Sequence, residues 1–306
     1  MIVLGFDTSN YTTSIAAFDG TEGRNCSRLL DVKPGELGLR QSDALFSHVK
    51  RLPELAEQLF ETYRGQDVAA IGVSTRPRAV EGSYMPCFLA GVSQARVLAS
   101  TLRLPLYEFS HQQGHIAASC WSAGRPELLH EPHLAWHLSG GTTELLLVEP
   151  EGKCVRASHI GGTTDLSAGQ LVDRTGQMLG TAFPAGKEID RLSACTDSED
   201  FFRVKVNSCF FSFSGVQNKL REYYDKTHDR EATARYCMRS VICAVEKATK
   251  QACIQYPGLP VVFSGGVASN SMLRKTQAAP DTVFCPPQYA TDNAMGIAVL
   301  TWQQGG

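Results

Sequence analysis

Apolar runs separated by short polar turns open the chain. Residues 2–6 form one such run, a polar turn begins at Asp7, and residues 14–18 are apolar again before Asp19 and Gly20. A short apolar run bounded by turn residues is typical of a buried strand. The pattern therefore predicts a β-hairpin at the start of the chain.

Helical and strand-like patterns alternate over the next hundred residues. Residues 41–63 carry apolar side chains at helical spacing, and we expect Pro53 to bend or interrupt that helix. Strands are predicted at 68–73 and 104–109, with a helix at 88–102 between them. This alternation predicts an α/β lobe in which helices cover the faces of the sheet.

A second strand-turn-strand pattern lies near the middle of the chain. The segment HLSGGTTE, residues 137–144, separates apolar runs at 134–138 and 145–148. Glycines leave such a turn without bulky side chains, so its backbone N–H groups can close on an anionic oxygen. The turn is therefore a predicted phosphate cradle.

The two turns share the pattern S-x-x-T-T-x-apolar, which begins at Ser9 and again at Ser139, 130 residues later. An internal repeat is evidence for a duplicated architecture. It predicts two related lobes, each opening with a strand-turn-strand, whose turns face each other across a cleft and hold one phosphorylated ligand.

The rest of the second half predicts further α/β elements. They are a strand at 154–160, a helix at 166–179, a partial hairpin at 203–214, helices at 216–224 and 232–252, a strand at 261–263 leading to a capped helix start near 269–270, and a last helix at 294–302. The last helix follows Thr291, Asp292 and Asn293, and Asp292 is a candidate N-cap.

Composition sets the size and class of the protein. A chain of 306 residues predicts two domains, which we place at 1–130 and 131–306. The net charge of −2 does not indicate a polyanion partner, although the basic stretch 203–230 is either an RNA-facing surface or a solvated face. Ten cysteines without a C-x-x-C pair, and no long apolar run, predict a cytoplasmic protein without a membrane span.

A pair of histidines is the clearest candidate for chemistry. Ser110 and Gln113 have capping-box spacing, so a helix should begin at about His111. His111 and His115 would then share one face and could reach a single metal, or they are two ordinary helix histidines. A zinc-peptidase mechanism is disfavoured because Gln112 stands where the peptidase signature H-E-x-x-H has its glutamate base.

Several ordered motifs together resemble one family. They are HQQGH at 111–115, HLSGGTTEL at 137–145, DLSAGQLVDRTGQMLG at 165–180, FSFSG at 211–215, FSGGVASN at 263–270 and TDNAMGIA at 291–298. In this order they resemble the TsaD-like tRNA threonylcarbamoyl-adenosine synthase family, also called the glycoprotease family. The resemblance implies a duplicated actin/hexokinase/Hsp70-like α/β fold with mixed sheets and a nucleotide cleft between the lobes. It also implies metal-dependent transfer of a threonylcarbamoyl group from threonylcarbamoyl-adenylate to an adenosine of tRNA.

The resemblance also implies site residues and partners. His111, His115 and Asp292 match the family's ligands for one divalent transition metal, iron(II) or zinc. The adenylate, threonylcarbamoyl-AMP or another ATP-derived adenylate, would be held by a set of turn and helix residues: His137, Leu138, Ser139, Gly140, Gly141, Asp173, Gly186 and Asn270. His137 stands where some members carry a metal-binding tyrosine, so it is also a candidate ligand. The implied partners are tRNA and related subunits of a threonylcarbamoyl-transfer complex, and no general base is identifiable.

The chain departs from the family pattern mainly around the turns. Tyr11 and Thr12 replace an acidic pair, Thr142 replaces a histidine, and Ala185 replaces a glycine. These departures indicate a divergent paralogue, and they keep a second hypothesis open: a non-catalytic nucleotide-binding scaffold subunit. A sugar kinase on the same fold could use Asp7 as its catalytic aspartate, but the histidine pair would then have no function.

Overall fold

The computed structural model describes residues 1–9, 11–31, 39–276 and 279–305, so Asn10 of the first turn lies outside the described residues. By its internal contacts the chain forms two compact units. The first unit contains Met1–Glu131, Glu149–Ala157 and Asp292–Gly306, and the second contains Pro132–Val148 and Ser158–Thr291.

The described residues form strands and helices in the following order. The strands are β1 Ile2–Asp7, β2 Thr12–Phe18, β3 Gly23–Leu29, β4 Val68–Arg76, β5 Leu106–Ser110, β6 His133–Leu138, β7 Thr143–Glu151, β8 Cys154–Thr163, β9 Phe210–Phe211, β10 Val261–Ser264 and β11 Thr282–Phe284. The α-helices are α1 Gln41–Phe60, α2 Leu89–Leu102, α3 His111–Ser122, α4 Ala168–Met178, α5 Gly186–Ser193, α6 Ser214–Thr227, α7 Arg230–Gln255 and α8 Met295–Gly305.

The sheet of the first unit has the order β3-β2-β1-β4-β5. β1 pairs antiparallel with β2 and parallel with β4, and β4 pairs parallel with β5. The predicted hairpin is therefore confirmed. The sequence analysis missed β3, because only Cys26 of that polar edge strand is buried and the strand has no apolar pattern to detect.

Pro53 neither ends nor divides α1, so of the two expected effects, a bend or an interruption, the interruption does not occur. The helix is continuous over its 20 residues with Pro53 inside it. Leu52, Leu55 and Leu59 lie on both sides of the proline and are buried in the core of the first unit. Burial of this apolar face offsets the cost of the proline, which removes one backbone hydrogen bond.

The C-terminal helix α8 belongs to the first unit, which differs from the expected division at residues 1–130 and 131–306. Small residues explain the packing. A Cβ on Gly5 would lie 2.5 Å from the Ala294 carbonyl oxygen, and a Cβ on Gly296 would lie 1.8 Å from the Gly114 carbonyl oxygen. Only glycine permits backbones to approach this closely, so α8 packs directly against β1 and α3.

The sheet of the second unit has the order β11-β10-β6-β7-β8-β9. β6 pairs antiparallel with β7 and parallel with β10, which in turn pairs parallel with β11. Apart from the short β9, this is the strand order of the first sheet. The shared strand order confirms the predicted duplication. That the two turns face each other stays a prediction.

Two local predictions in the second unit differ from the structure. The partial hairpin expected at 203–214 is reduced to an antiparallel bridge between Asn207 and Phe210, each of which donates its N–H to the carbonyl of the other at 2.9 Å. Phe210 also begins the short β9, which pairs parallel with β8. The helix expected near 269–270 is a 3₁₀ turn, Gly266–Ser269, followed by a second one, Leu273–Lys275. Among the described helices, none is both long enough and apolar enough to cross a membrane.

Candidate active site

The N-terminus of α3 presents the two histidines as predicted. The Ser110 hydroxyl accepts a hydrogen bond from the Gln113 backbone N–H at 3.2 Å, and the Gln113 side chain accepts one from the Ser110 N–H at 2.9 Å. This capping box begins the helix at His111. The Gln113 amide also donates to the Val155 carbonyl at 2.8 Å, which anchors the first turn of the helix.

The start of α8 brings Asp292 to these histidines. The close contact of Gly296 with Gly114 sets the two helices side by side. The Asn293 side chain accepts a hydrogen bond from the Met295 N–H at 3.1 Å. Asn293 thus caps this helix start, where the sequence had suggested Asp292 as the cap, and the Asp292 carboxylate points to His115.

His111, His115 and Asp292 form one cluster. Each offers one ligand atom, and these atoms lie within 4.8 Å of one another. Asp292 Oδ1 lies 3.1 Å from His115 Nε2 and 3.5 Å from His111 Nε2, and the two imidazole rings meet edge to face with centroids 4.3 Å apart. Two imidazoles and one carboxylate are a ligand set that suits a transition metal and leaves coordination positions open.

The charged groups of the cluster shift one another's pKa values. Burial disfavours the imidazolium form of His111, but the carboxylates of Asp7 and Asp292 outweigh it and raise the pKa of His111 to about 10. Burial likewise disfavours the charged form of Asp292, yet hydrogen bonds from His111 and His115 hold the pKa of that carboxyl well below its usual range. The two carboxylates therefore favour positive charge at this site.

No sequence pattern connects Asp7 with the histidines. Asp7 is the last residue of β1 and is fully buried. Its carboxylate oxygens lie 3.1 and 3.2 Å from His111 Nδ1, the ring nitrogen that faces away from Asp292. A polar residue at the end of a buried strand was the available signal, because open α/β sheets place ligand groups at that edge.

The glycine turn of the second unit lies between β6 and β7. The Ser139 N–H donates to the Thr142 carbonyl at 2.8 Å, and the Thr142 N–H donates to the Ser139 hydroxyl at 3.1 Å. A Cβ on Gly140 or Gly141 would meet no atom within 4 Å. The outer side of the turn is therefore open to a ligand, as a phosphate cradle requires.

The N-terminus of α4 supports this turn from behind. The Ser167 hydroxyl donates to the Gly140 carbonyl at 2.7 Å, and the Gly169 N–H donates to the Ser139 carbonyl at 3.2 Å. Ser167 also forms a capping box with Gln170. The Ala168 N–H donates to the Thr143 hydroxyl at 2.8 Å, so the start of α4 holds the turn at both of its ends.

Two further residues at the base of the turn belong to the predicted adenylate set. Leu138 ends β6, and its carbonyl would lie 2.2 Å from a Cβ on Gly265, so the Gly265 backbone packs directly against it. The Nδ1 atom of His137 lies 3.3 Å from the Ser264 hydroxyl at the end of β10. Both residues therefore lie where β6 and β10 end together.

Asp173 and Gly186 lie at neighbouring helices. The Asp173 carboxylate on α4 accepts a hydrogen bond from the Ala185 N–H at 2.8 Å, and burial raises the pKa of this carboxyl. Gly186, the first residue of α5, has open space where a Cβ would lie. The structure thus brings these two predicted residues together.

The polar atoms of Asn270 are engaged within the protein. Its Oδ1 accepts from the Met272 and Leu273 N–H groups, and its Nδ2 donates to Asp190 at 2.8 Å. Asp190 on α5 also accepts from the backbone and hydroxyl of Ser271. Asn270 thus has a structural role beside any ligand contact, and the sequence analysis did not single out its partner Asp190.

Comparison with known proteins decides the family. The profile of the family described as TsaD, tRNA N6-adenosine threonylcarbamoyltransferase, matches residues 38–299. The chain belongs to this family. Proteins named tRNA N6-adenosine threonylcarbamoyltransferase include one from Sulfurihydrogenibium sp., 31% identical over 99% of this chain and 90% of its own. Another, from Streptococcus pneumoniae, is 34% identical over 76% of this chain and 70% of its own.

Solved structures confirm the predicted fold class of this TsaD-family chain. Full-length HypF in its phosphate- and nucleotide-bound form superposes with a TM-score of 0.65 at 14% identity, over all of this chain and 47% of HypF. The ROK hexokinase from Thermus thermophilus gives a TM-score of 0.57 at 15% identity, over 99% of both chains. At these identities the likeness shows the fold alone, which is the duplicated actin/hexokinase type.

Proposed function

We propose that this protein transfers a threonylcarbamoyl group from threonylcarbamoyl-adenylate to an adenosine of tRNA. The names of its relatives support the acceptor and the transferred group. The observation that carries the proposal is the cluster of His111, His115 and Asp292 in a chain of this family. Two separate sequence motifs, HQQGH at 111–115 and TDNAMGIA at 291–298, supply these three side chains.

We assign His111, His115 and Asp292 as ligands of one divalent transition metal, iron(II) or zinc. Their chemistry fits, because two imidazole nitrogens and a carboxylate oxygen are close enough to share one ion. When bound, the cation would orient the oxygens of the threonylcarbamoyl group and stabilise the negative charge that develops on them. His137 lies at the base of the glycine turn, so we assign it to the nucleotide.

The adenylate is assigned to the second unit. Backbone N–H groups of Gly140 and Gly141 would face the phosphate, with Ser139, Leu138 and His137 at the base of the turn and Asp173, Gly186 and Asn270 around the nucleoside. The open space beside Gly140 and Gly141 supports this assignment. Such preorganised donors would offset the charge on the departing phosphate.

The chemistry needs no protein nucleophile. The carbamoyl carbon of the mixed anhydride is already activated, so the adenine amine attacks it, the bond to the phosphate oxygen breaks and AMP leaves. The amine proton passes to solvent or to a group on the substrate. The main contribution of the protein is then to position the two substrates.

The proposal also includes related subunits of a threonylcarbamoyl-transfer complex as partners and the cytoplasm as the compartment. Both depend on the family resemblance. They do not enter the chemistry assigned to the two sites.

A reconstituted reaction tests the proposal. The protein is incubated with ATP, L-threonine, bicarbonate, the enzyme that makes the adenylate, and unmodified tRNA, and the digested nucleosides are examined by mass spectrometry. We expect threonylcarbamoyl-adenosine with the wild type and with His130→Ala, an exposed histidine of the same unit. We expect none with His111→Ala.

The same assay addresses the second hypothesis, a non-catalytic scaffold subunit. The replacement of an acidic pair by Tyr11 and Thr12 is the observation that favours it. Adenylate binding without any product, in the presence of metal and tRNA, would contradict the transferase and support the scaffold.

A further inference from the structure

Asp7 is a buried carboxylate that the proposed metal set does not include. Its side chain is fully buried at the end of β1. It accepts a hydrogen bond from the Ser9 hydroxyl at 2.9 Å and another from the Ser74 hydroxyl. It also contacts His111 Nδ1 at 3.1 and 3.2 Å. Burying a carboxylate without partners costs folding free energy, so these three contacts are what stabilise the Asp7 side chain in its buried position.

The topology of the sheet explains why these residues meet. β1 and β4 are parallel neighbours with Phe6 opposite Val73, so Asp7 and Ser74 are the next residues along the two strands. β5 is parallel to β4 on its other side and ends at Ser110, directly before His111. The ends of the three strands therefore place Asp7, Ser74 and His111 at one edge of the sheet.

The two nitrogens of the His111 ring face different carboxylates. Nδ1 faces Asp7, and Nε2 lies 3.5 Å from Asp292 Oδ1. A neutral imidazole carries one proton, and the nitrogen that carries it cannot bind a cation. Which nitrogen binds is set by the hydrogen bond that the other one makes.

We propose that Asp7 is the positioning residue of the metal centre: it accepts the Nδ1–H of His111 and so directs the Nε2 lone pair to the cation. Ser9 and Ser74 donate to the Asp7 carboxylate and hold its orientation. Asp7 itself does not bind the cation. This inference depends on the proposed metal centre, and it adds a residue from another strand to that centre.

A purely structural role for Asp7 is the competing explanation, because its contacts also join β1 to β4 and to α3. Thr8 provides a matched control. Its buried hydroxyl joins the same strand end to α2, donating to the Cys87 carbonyl at 3.1 Å and accepting from the Gly91 N–H at 3.1 Å. Thr8→Val removes these buried hydrogen bonds of the Thr8 hydroxyl and does not change a residue that contacts the His111 ring nitrogens.

The experiment measures Co²⁺ affinity by chelator competition, using the visible spectrum of the bound ion, in the wild type, Asp7→Asn, Asp7→Ala and Thr8→Val. We expect both Asp7 variants to bind Co²⁺ about 10- to 100-fold more weakly, the usual effect of losing such a partner, and Thr8→Val to match the wild type. Asp7→Asn keeps the side-chain volume, so it covers the case in which the alanine variant does not fold.

The ring proton is measured directly by ¹⁵N NMR of histidine-labelled, Zn²⁺-loaded wild type. We expect the proton on Nδ1 of His111 and the metal on Nε2. A proton on Nε2, or Co²⁺ affinities of the Asp7 variants within about twofold of the wild type, would overturn the role of Asp7 and leave the metal centre intact. Absence of Co²⁺ and Zn²⁺ binding by the wild type would overturn both.

Discussion

Gly169→Ala is the sharpest test of the nucleotide turn. Gly169 is the second residue of α4, and a Cβ there would lie 2.4 Å from both Gly140 Cα and the Ser139 carbonyl oxygen. Both neighbours are backbone atoms, so no side-chain rotation can relieve the overlap. The turn or the helix must move by roughly 1 Å to restore ordinary contact, the scale at which overpacking distorts a core.

The expected change in folding stability is the difference between two opposing effects. Alanine gains up to about 1 kcal/mol in helix propensity over glycine. Overpacking a tight contact typically costs about 1–3 kcal/mol, so we expect Gly169→Ala to destabilise the fold by about 1–2 kcal/mol. The displaced turn should also lose at least one hydrogen bond to the phosphate, which weakens adenylate binding by about tenfold or more.

Gly215→Ala is the matched control. Gly215 is also the second residue of its helix, α6, but a Cβ there would meet no atom within 4 Å. Urea denaturation and calorimetry with AMP measure stability and affinity for both variants. Gly215→Ala should be at least as stable as the wild type and bind AMP equally. If Gly169→Ala behaves in the same way, the assignment of the turn is wrong.

Three further predictions concern stability. Asn270→Ala should cost about 1–3 kcal/mol in urea denaturation, because two backbone N–H groups lose their acceptor and Asp190 loses one of its donors; an unchanged midpoint would contradict the observed contacts. Ser110→Ala should cost about 1 kcal/mol and fray the start of α3, visible as faster hydrogen exchange at residues 111–113; equal exchange rates would exclude a role for the cap. Burial raises the pKa of Asp165, but hydrogen bonds led by that of Ser212 outweigh it and hold the pKa below its usual value of about 4. The Asp165 carboxylate therefore stabilises the fold above about pH 4, and this stabilisation is lost as the pH falls through the lower pKa of the folded state. Asp165→Asn should abolish this loss of stability at low pH.

The sequence predicted the fold well where local patterns and global packing agree. The repeat at Ser9 and Ser139 indicated a duplication, and the two sheets share the same strand order. It failed where packing overrides local signals. β3 is a polar edge strand, Pro53 is tolerated because buried leucines surround it, and α8 joins the first unit through glycine contacts that no periodicity reveals.

The candidate site was likewise predicted where local sequence patterns determine it and missed where the packing of strands does. The capping box and the i, i+4 spacing predicted that His111 and His115 share a face, and motif order implied Asp292 as their partner. Asp7 was missed, because only the register of parallel strands places it beside His111. A sequence contains the residues of such a pair but not the strand register that joins them.

The central claim is that His111, His115 and Asp292 hold one transition metal. Its most direct test is the metal content of the purified protein after Zn²⁺ or anaerobic Fe²⁺ loading and desalting, compared between the wild type, His111→Ala and the surface control His130→Ala. We predict one metal ion per chain in the wild type and in His130→Ala, and loss of the ion in His111→Ala with the fold intact by circular dichroism. Equal metal content in His111→Ala and the wild type would contradict it.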